Sequence, residues 1–226
     1  AGLCSRREAE RWIEEGRVVI DGEKINSPAR TVTASNTVLV DGKPLPMAEQ
    51  TRLWRYHKPS GLVTTSRDEK GRPTVFDHLP ANLPRVISVG RLDLNSEGLL
   101  LLTNDGKLAR DLALPASGWL RKYRVRVHGR VEAERLAKLA DGVTVDGVRY
   151  DSIKAELERQ QGSNAWLMVT LKEGKNREIR KVMEHLGYPV NRLLRLSYGP
   201  FQLGHLGKGE VEEVSPAMVR DIQGNP

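Results

Sequence analysis

Four consecutive leucines, Leu99–Leu102, follow a short polar segment, and this arrangement constrains the fold more than any other feature of the chain. A short uninterrupted apolar run with polar flanks is typical of a fully buried strand. The segment before it, "GRLDLNSEG", places Asp93, Asn95 and Glu97 immediately ahead of that strand. Polar groups in such a position bind a metal, serve catalysis or end a loop.

A calcium loop is the first alternative. Four residues match its first, third, fifth and sixth positions: Asp93, Asn95, Glu97 and Gly98. The twelfth position is Asn104 instead of the usual glutamate, and a leucine strand replaces the expected helix. Calcium binding is therefore disfavoured, while catalytic and structural roles for Asp93 stay open. Because an unpaired charge beside an apolar strand is costly, we expect Asp93 to have a cationic partner.

The charge balance favours a polyanionic partner such as nucleic acid, because the 226 residues carry a formal net charge of +7. Cys4 is the only cysteine, which excludes an intrachain disulfide and fits a reducing compartment. The sequence shows no signal peptide, membrane span, metal motif, P-loop or dinucleotide motif. We therefore expect a cytoplasmic protein that uses no membrane, metal or cofactor.

The chain is predicted to have two domains, residues 1–47 and residues 53–222, with a linker at 48–52 and a tail at 223–226. The first combines a helix, which begins with a capping box at Ser5, and short strands around two Asp-Gly turns. Its arginines suggest a phosphate-facing surface, although a solvated helix face is equally compatible: Arg6, Arg7, Arg11 and Arg17. The second is predicted to be α+β, with a mixed, largely antiparallel sheet.

A basic helix is predicted within "EGKNREIRKVMEHLG", residues 173–187. Its apolar stripe is Ile179, Val182, Met183 and Leu186. The cations cluster near its N-terminus, where they oppose the helix dipole: Lys175, Arg177, Arg180 and Lys181. Such a cluster could supply the partner of Asp93 and contacts to phosphates, or could serve only surface solubility.

A basic strand is predicted at "KYRVRVHGR", residues 122–130. Its alternation places Tyr123 on the apolar face and four basic side chains on the other: Lys122, Arg124, Arg126 and His128. An aromatic ring at that position is either part of the core or a stacking surface for an extruded base. The pattern alone favours the core.

Taken together, the motifs resemble a known family, the ribosomal pseudouridine synthases that carry a small S-four-like RNA-binding domain. "GLCSRREAERWIEEGRVVIDGE" is similar to the RNA-binding module, which usually begins with a further basic helix, so we expect the module to be incomplete at its N-terminus. "YHKPSGLVTT", "VGRLDLNSEGLLLLTNDG", "KYRVRV", "EGKNREIRKVMEHLG" and "RLLRLSYGPFQL" match the catalytic domain in order. "GRPTVFDHLP" and "GKNREIR" are most similar to the large-subunit type.

The resemblance implies a role for each matched residue. Asp93 corresponds to the catalytic aspartate, Arg180 to the basic residue that pairs with it, and Tyr123 to the tyrosine that stacks on the target base. Arg91 and Asn95 flank the aspartate as site-shaping residues. The implied fold is a mixed, mainly antiparallel sheet with a central cleft.

The implied reaction converts a uridine of large-subunit ribosomal RNA to pseudouridine without cofactor, in a monomeric enzyme. The sequence leaves open whether the aspartate attacks C1′, adds to C6 or removes the C2′ proton. Two alternatives remain: action on small-subunit ribosomal RNA, and a non-catalytic protein of ribosome assembly.

Overall fold

The computed structural model describes residues 2–47, 49–114 and 118–224. The chain divides into two compact units, residues 1–50 and residues 51–226. Of the predicted linker, residue 48 lies outside the described residues, as do residues 225 and 226 of the predicted tail. The last helix runs to Gly224 and so overlaps that tail. The domain boundaries at 47 and 53 stay predictions.

The N-terminal unit contains one helix and a small antiparallel sheet. Its elements are α1 Arg6–Glu14, β1 Val18–Ile20, β2 Glu23–Lys24, β3 Val38–Val40 and β4 Lys43–Pro44. The strands pair in the order β2-β1-β3-β4. The predicted cap is confirmed, because the Ser5 hydroxyl oxygen accepts a hydrogen bond from the Glu8 amide at 3.2 Å.

Both predicted Asp-Gly turns are present in this unit. Asp21 and Gly22 have φ values of 50° and 84°, and Asp41 and Gly42 have values of 51° and 75°. Two successive positive φ angles define the type I′ turn, whose twist matches that of a hairpin. Aspartate and glycine tolerate this conformation, so the two hairpins follow directly from the sequence.

The larger unit is built around one extended sheet. Its helices are α2 Gly106–Ala113, α3 Ala133–Ala137, α4 Glu178–His185 and α5 Pro216–Gly224. Its strands are β5 Leu53–Lys58, β6 Ile87–Val89, β7 Ser96–Thr103, β8 Arg121–His128, β9 Val143–Val145, β10 Val148–Tyr150, β11 Ile153–Gln161, β12 Asn164–Leu171, β13 Val190–Tyr198, β14 Phe201–Gln202 and β15 Val211–Glu213.

The sheet has the order β11-β12-β8-β13-β7-β5-β15, with β14 beside β13 and β6 beside β7. The pair β13–β7 is parallel, and the other pairs of named strands in this sheet are antiparallel. The expectation of an α+β fold with a mixed, mainly antiparallel sheet is therefore confirmed. Strands β9 and β10 form a separate hairpin.

The four leucines lie in β7, and each is fully buried. Leu100 and Leu102 belong to one hydrophobic cluster, whereas Leu99 and Leu101 belong to another. Because successive side chains of a strand point to opposite faces, an uninterrupted apolar run is what a strand covered on both faces requires. The polar segment before the leucines therefore lies at the N-terminal end of a central strand.

The regular elements predicted from the strongest patterns are present. The predicted basic helix corresponds to α4, the leucine run to β7 and the predicted basic strand to β8. The apolar stripe of α4 packs in the core, with Ile179, Val182 and Met183 buried. Strand β13 was not predicted, because its basic residues alternate with leucines although it lies in the middle of the sheet.

Candidate active site

A cavity of about 560 Å³ lies against one face of the sheet in the larger unit. Six of the sequence-predicted site residues line it: Arg91, Asp93, Tyr123, Lys175, Arg177 and Arg180. They come from the loop before β7, from β8, and from the loop and helix of residues 175–180. Asn95 and Lys181 do not line the cavity. Residues far apart in sequence thus meet around one space.

The loop that carries Asp93 is fixed through its main chain. The Thr64 hydroxyl donates to the Leu92 carbonyl at 2.8 Å, and the Gly61 amide donates to the Leu94 carbonyl at 2.8 Å. The Ser96 amide donates to the carbonyl of Asp93 itself at 3.0 Å. Main-chain bonds on both sides of Asp93 hold its backbone while leaving its carboxylate to line the cavity.

Lys58 supports the same loop from the end of β5. Its side chain is fully buried, and Nζ donates to the carbonyls of Pro59, Leu94 and Ser96 at 3.0, 3.3 and 2.8 Å. Burial lowers the pKa of Lys58 to about 8, and the charges of Asp93 and Glu97 act in the opposite direction. An ammonium group has three N–H donors, so these three carbonyls use all of them.

Tyr123 lies on the cavity face of β8. It is only 7% exposed and belongs to the larger hydrophobic cluster, yet it also lines the cavity. Its cross-strand neighbours are Val169 on one side and Arg195 on the other. The two roles left open by the sequence are therefore compatible, since the same ring packs in the core and faces the cavity.

Arg180 is held beside the Asp93 loop by carbonyl oxygens. Its Nη2 donates to the carbonyl of Asn95 at 3.0 Å, and its Nη1 donates to the carbonyl of Val190 at 3.2 Å. Burial lowers the pKa of Arg180 and the charge of Arg177 lowers it further, whereas the charge of Asp93 raises it.

The expected ion pair between Arg180 and Asp93 is not formed in this structure. Among the described residues, no lysine, arginine or histidine lies within 4.0 Å of the Asp93 carboxylate. The reason is that two main-chain carbonyls hold the guanidinium of Arg180, so its charge acts on Asp93 across a distance. The buried Nε of Arg180 has no hydrogen-bond partner among these residues.

Lys175, Arg177 and Glu173 line the rim of the cavity, and the carboxyl group of Glu178 is buried behind them. Lys175 forms an ion pair with Glu173, and its Nζ also donates to the Arg149 carbonyl at 2.9 Å. Burial, together with the neighbouring charge of Glu173, raises the pKa of Glu178 to about 7. Glu178 accepts a hydrogen bond from the Lys175 amide at 2.8 Å. Arg177 is exposed and directly precedes α4, with a φ of 52°.

The comparison with protein-family models decides the family of this chain. Residues 52–185 match the model described as RNA pseudouridylate synthase, and residues 1–38 match the S4 domain. The chain belongs to the RNA pseudouridylate synthase family. The protein is therefore an enzyme, a pseudouridine synthase, with an S4 domain at its N-terminus.

Relatives of this synthase cover nearly its whole length. An uncharacterized RNA pseudouridine synthase of Rickettsia typhi is 46% identical over 225 residues, which are 100% of this chain and 92% of the relative. Ribosomal large subunit pseudouridine synthase B of Salmonella typhimurium is 41% identical over 233 residues, which are 99% of this chain and 79% of the relative.

A solved structure confirms the synthase fold. The structure described as "Crystal structure of pseudouridylate synthase" superposes with a TM-score of 0.71 at 24% sequence identity. The superposition covers 96% of this chain and 93% of the chain in the solved structure. The α+β fold with its mixed sheet is therefore that of a pseudouridylate synthase.

The N-terminal arginines of the synthase differ in their surroundings. Arg6 pairs with Glu10 at 3.0 Å, and Arg11 lies 3.6 Å from Glu15. Arg17 donates two hydrogen bonds to Asp41, at 2.6 and 2.9 Å, and lies over the Trp12 ring. Arg7 is exposed and makes no ion pair among the described residues. Arg17 therefore joins the end of α1 to the second hairpin.

Three buried cations close to the candidate site of the synthase were not predicted from the sequence. These are Lys58, Arg121 and Arg195, which are at most 6% exposed. Lys58 lies in "YHKPSG" and Arg195 in "RLLRLSYG", both of which were matched to the family without a role for these residues. A cation on the apolar side of a strand pattern was the signal that could have identified Arg121 and Arg195.

Neither a membrane-spanning helix nor a cluster of metal-binding side chains occurs in the part of the chain that the structure describes. None of the helices there has the length and apolar character needed to cross a bilayer. The same residues contain no group of three or more histidine, cysteine, aspartate or glutamate side chains arranged to hold a metal ion.

Proposed function

We propose that the protein converts a specific uridine of large-subunit ribosomal RNA to pseudouridine, with Asp93 as its catalytic carboxylate and without a cofactor. The observation that carries this proposal is the meeting of Asp93, Tyr123 and Arg180 around one cavity. The relative from Salmonella typhimurium, named for the large ribosomal subunit, supports the choice of substrate.

The chemistry requires only what the chain supplies. The N1–C1′ bond breaks, the detached uracil turns, and C5 forms a new bond to C1′. The proton leaves C5 and N1 gains one, so the atoms and electrons balance without an external reagent. Asp93 is the carboxylate that attacks C1′, adds to C6 or removes the C2′ proton.

Tyr123 acts as the platform for the target base. A uridine stacked in RNA is inaccessible, so it must leave the stack at a cost of a few kcal/mol. Stacking on the ring of Tyr123 offsets about 1–3 kcal/mol of that cost. Arg91 and Asn95 shape the Asp93 loop, and Arg180 stabilises the charge of Asp93 from a distance.

The remaining cations bind the RNA backbone. Arg177 and Lys175 are exposed cations at the cavity rim, and Lys181 lies on the helix that follows them. In the N-terminal unit we assign the same role to Arg6, Arg7, Arg11 and Arg17, with Arg7 the most available of the four. These contacts position the RNA and carry little sequence information. We further propose that the enzyme acts as a monomer in the cytoplasm.

The test is to map pseudouridine in both ribosomal RNAs of cells that lack the protein. Rescue uses the wild type or Asp93→Asn, which is nearly isosteric. We expect one large-subunit uridine to require the wild-type carboxylate, while purified Asp93→Asn still binds that RNA. If the pseudouridine that is lost lies in small-subunit ribosomal RNA, then that RNA is the substrate. Rescue by Asp93→Asn would refute the catalytic assignment.

A further inference from the structure

Arg195 lies at the floor of the cavity between the two elements that carry the proposed catalytic groups. In the sheet it is opposite Tyr123 of β8 on one side and Gly98 of β7 on the other. Residues directly opposite each other across a sheet point to the same face and lie about 5 Å apart. The side chain of Arg195 lines the cavity together with that of Tyr123.

The guanidinium of Arg195 is buried with its hydrogen bonding incomplete. Arg195 is 3% exposed, its Nε donates to the Leu99 carbonyl at 2.7 Å, and the guanidinium lies 5.0 Å from the centre of the Tyr198 ring. Its buried Nη2 has no acceptor among the described residues. No carboxylate there lies within ion-pair distance of it. Such a charge is costly, so its presence requires an explanation.

Arg121, the other arginine near Tyr198, does not pose the same question. Its guanidinium donates to the carbonyls of Trp119 and Lys172 and to the Tyr198 hydroxyl. It therefore ties β8 to neighbouring segments. Of the two, Arg195 is the arginine with a buried nitrogen that has no acceptor among the described residues.

Depth in the cavity distinguishes a base from a phosphate as the partner of Arg195. Arg177 and Lys175 lie at the exposed rim, where the RNA backbone has to remain. A nucleotide that enters with its base stacked on Tyr123 brings the base, and not its phosphate, to the floor. Guanidinium nitrogens donate only, so they suit the carbonyl oxygens O2 and O4 of uracil.

We propose that Arg195 donates a hydrogen bond to a carbonyl oxygen of the target uracil and stabilises the negative charge that develops on the base during the reaction. This inference rests on the proposed use of the cavity as the uridine site. When the N1–C1′ bond breaks, its electron pair stays with uracil and spreads over N1, O2 and O4. Addition of the carboxylate to C6 also places charge on O4. A cation at this edge therefore assists each of the three routes open to Asp93.

The pair then returns to C1′ through C5, the C5 proton leaves, and N1 is protonated. The charge on uracil is transient, which explains a donor that has no permanent protein anion beside it. Stabilisation of a charge present only in the transition state raises kcat with little effect on RNA binding. A phosphate contact would instead change binding and leave kcat nearly unchanged.

The test compares single-turnover rates and RNA affinity of Arg195→Ala, Arg195→Met and Arg195→Lys with the wild type, on an RNA that the wild type converts. We expect kcat to fall about 100-fold in Arg195→Ala, as for loss of an oxyanion donor, with affinity within a few-fold of wild type. Low, non-denaturing guanidinium should restore part of the rate, whereas urea, which is similar in shape and uncharged, should not.

The control is Arg126→Met, an exposed arginine on the opposite face of β8, which should behave as the wild type. If Arg195→Ala does not fold, the comparison of Arg195→Lys with Arg195→Met tests the inference, because only the lysine variant retains the positive charge. Equal kcat for Lys and Met, no rescue of a folded Arg195→Ala, or loss confined to RNA affinity would overturn the inference. Absence of turnover by the wild type would instead count against the proposed substrate.

Discussion

The ammonium of Lys58 donates to the main-chain carbonyl of Ser96 at 2.8 Å, so a fully buried cation holds the start of β7 and the loop that presents Asp93. Its other two donors go to Pro59 and Leu94. A neutral amine has only two N–H donors for these three carbonyls. The protonation of Lys58 is therefore coupled to the position of a loop in the candidate site.

The first prediction concerns the alkaline limb of activity. Because the pKa of Lys58 is lowered to about 8, we expect kcat to fall as the pH rises through this value. Between pH 8 and 10.5, Lys58 is protonated in the unfolded chain and largely neutral in the folded one, so the stability of the folded state increases as the pH rises through this range. The loss should therefore occur without unfolding, as checked by circular dichroism. Lys58→Met should be less active, and its kcat should not fall as the pH rises through 8. If kcat of that variant falls as in the wild type, another group causes the loss.

The second prediction separates stacking from the hydroxyl at Tyr123. Tyr123→Phe keeps the ring and should retain most of the turnover, whereas Tyr123→Leu should fold and lose about 10-fold or more, since stacking contributes about 1–3 kcal/mol per base. Turnover by each variant, with thermal unfolding as the fold control, provides the measurement. Wild-type activity in Tyr123→Leu would exclude an essential stacking role.

The third prediction concerns the buried carboxyl group at the start of α4. Burial raises the pKa of Glu178 from 4.5 to about 7, so its protonated form favours folding and that contribution is lost as the pH rises from 4.5 to 7. Glu178→Gln should therefore have a higher free energy of unfolding than the wild type at pH 8, by on the order of 1 kcal/mol. The two proteins should differ little in this free energy near pH 4.5.

Chemical denaturation at the two pH values measures this difference. The matched control is Glu184→Gln, which changes an exposed carboxylate on the same helix and should have no effect. A Glu178→Gln variant that is equally destabilised at both pH values would show that the carboxyl group is charged and required.

The fourth prediction concerns the close approach of β7 to β13. A Cβ on Gly98 would lie 2.3 Å from the Arg195 carbonyl oxygen, and the φ of Gly98 is +102°. Gly98→Ala should destabilise the protein by about 3 kcal/mol or more, because the main chain of β13 would have to move to avoid the new methyl group. Gly147→Ala, where the φ is +76° and nothing lies within 4 Å, should cost about 1 kcal/mol. Denaturation midpoints of both variants test this; equal losses would contradict it.

Local patterns predicted the parts of this fold that depend on local physics. The leucine run indicated β7, the stripe of α4 its buried face, and the Asp-Gly pairs their hairpins. The sequence could not indicate β13 as the central strand, since its mixture of arginine and leucine does not resemble a buried strand. The order of strands depends on pairings between distant segments, which periodicity does not contain.

The candidate site was likewise predicted only in part. Asp93, Tyr123 and Arg180 were named through the resemblance, and they line the same cavity. The direct contact expected between Arg180 and Asp93 is replaced by bonds to carbonyls of Asn95 and Val190. Which acceptor a guanidinium reaches depends on a few ångströms of backbone placement, and such distances cannot be read from motif spacing.

The position of β13 has a consequence for the synthesis of the protein. Among the described residues, β13 is the strand that pairs with both β8 and β7. Until residues 190–198 have left the ribosome, the nascent chain has two partial sheets with unpaired inner edges, which are prone to associate with other chains. Tyr123 and Asp93 lie on opposite sides of that gap. The cavity between these strands is therefore complete only once residues 190–198 have been synthesised and have paired with both of them.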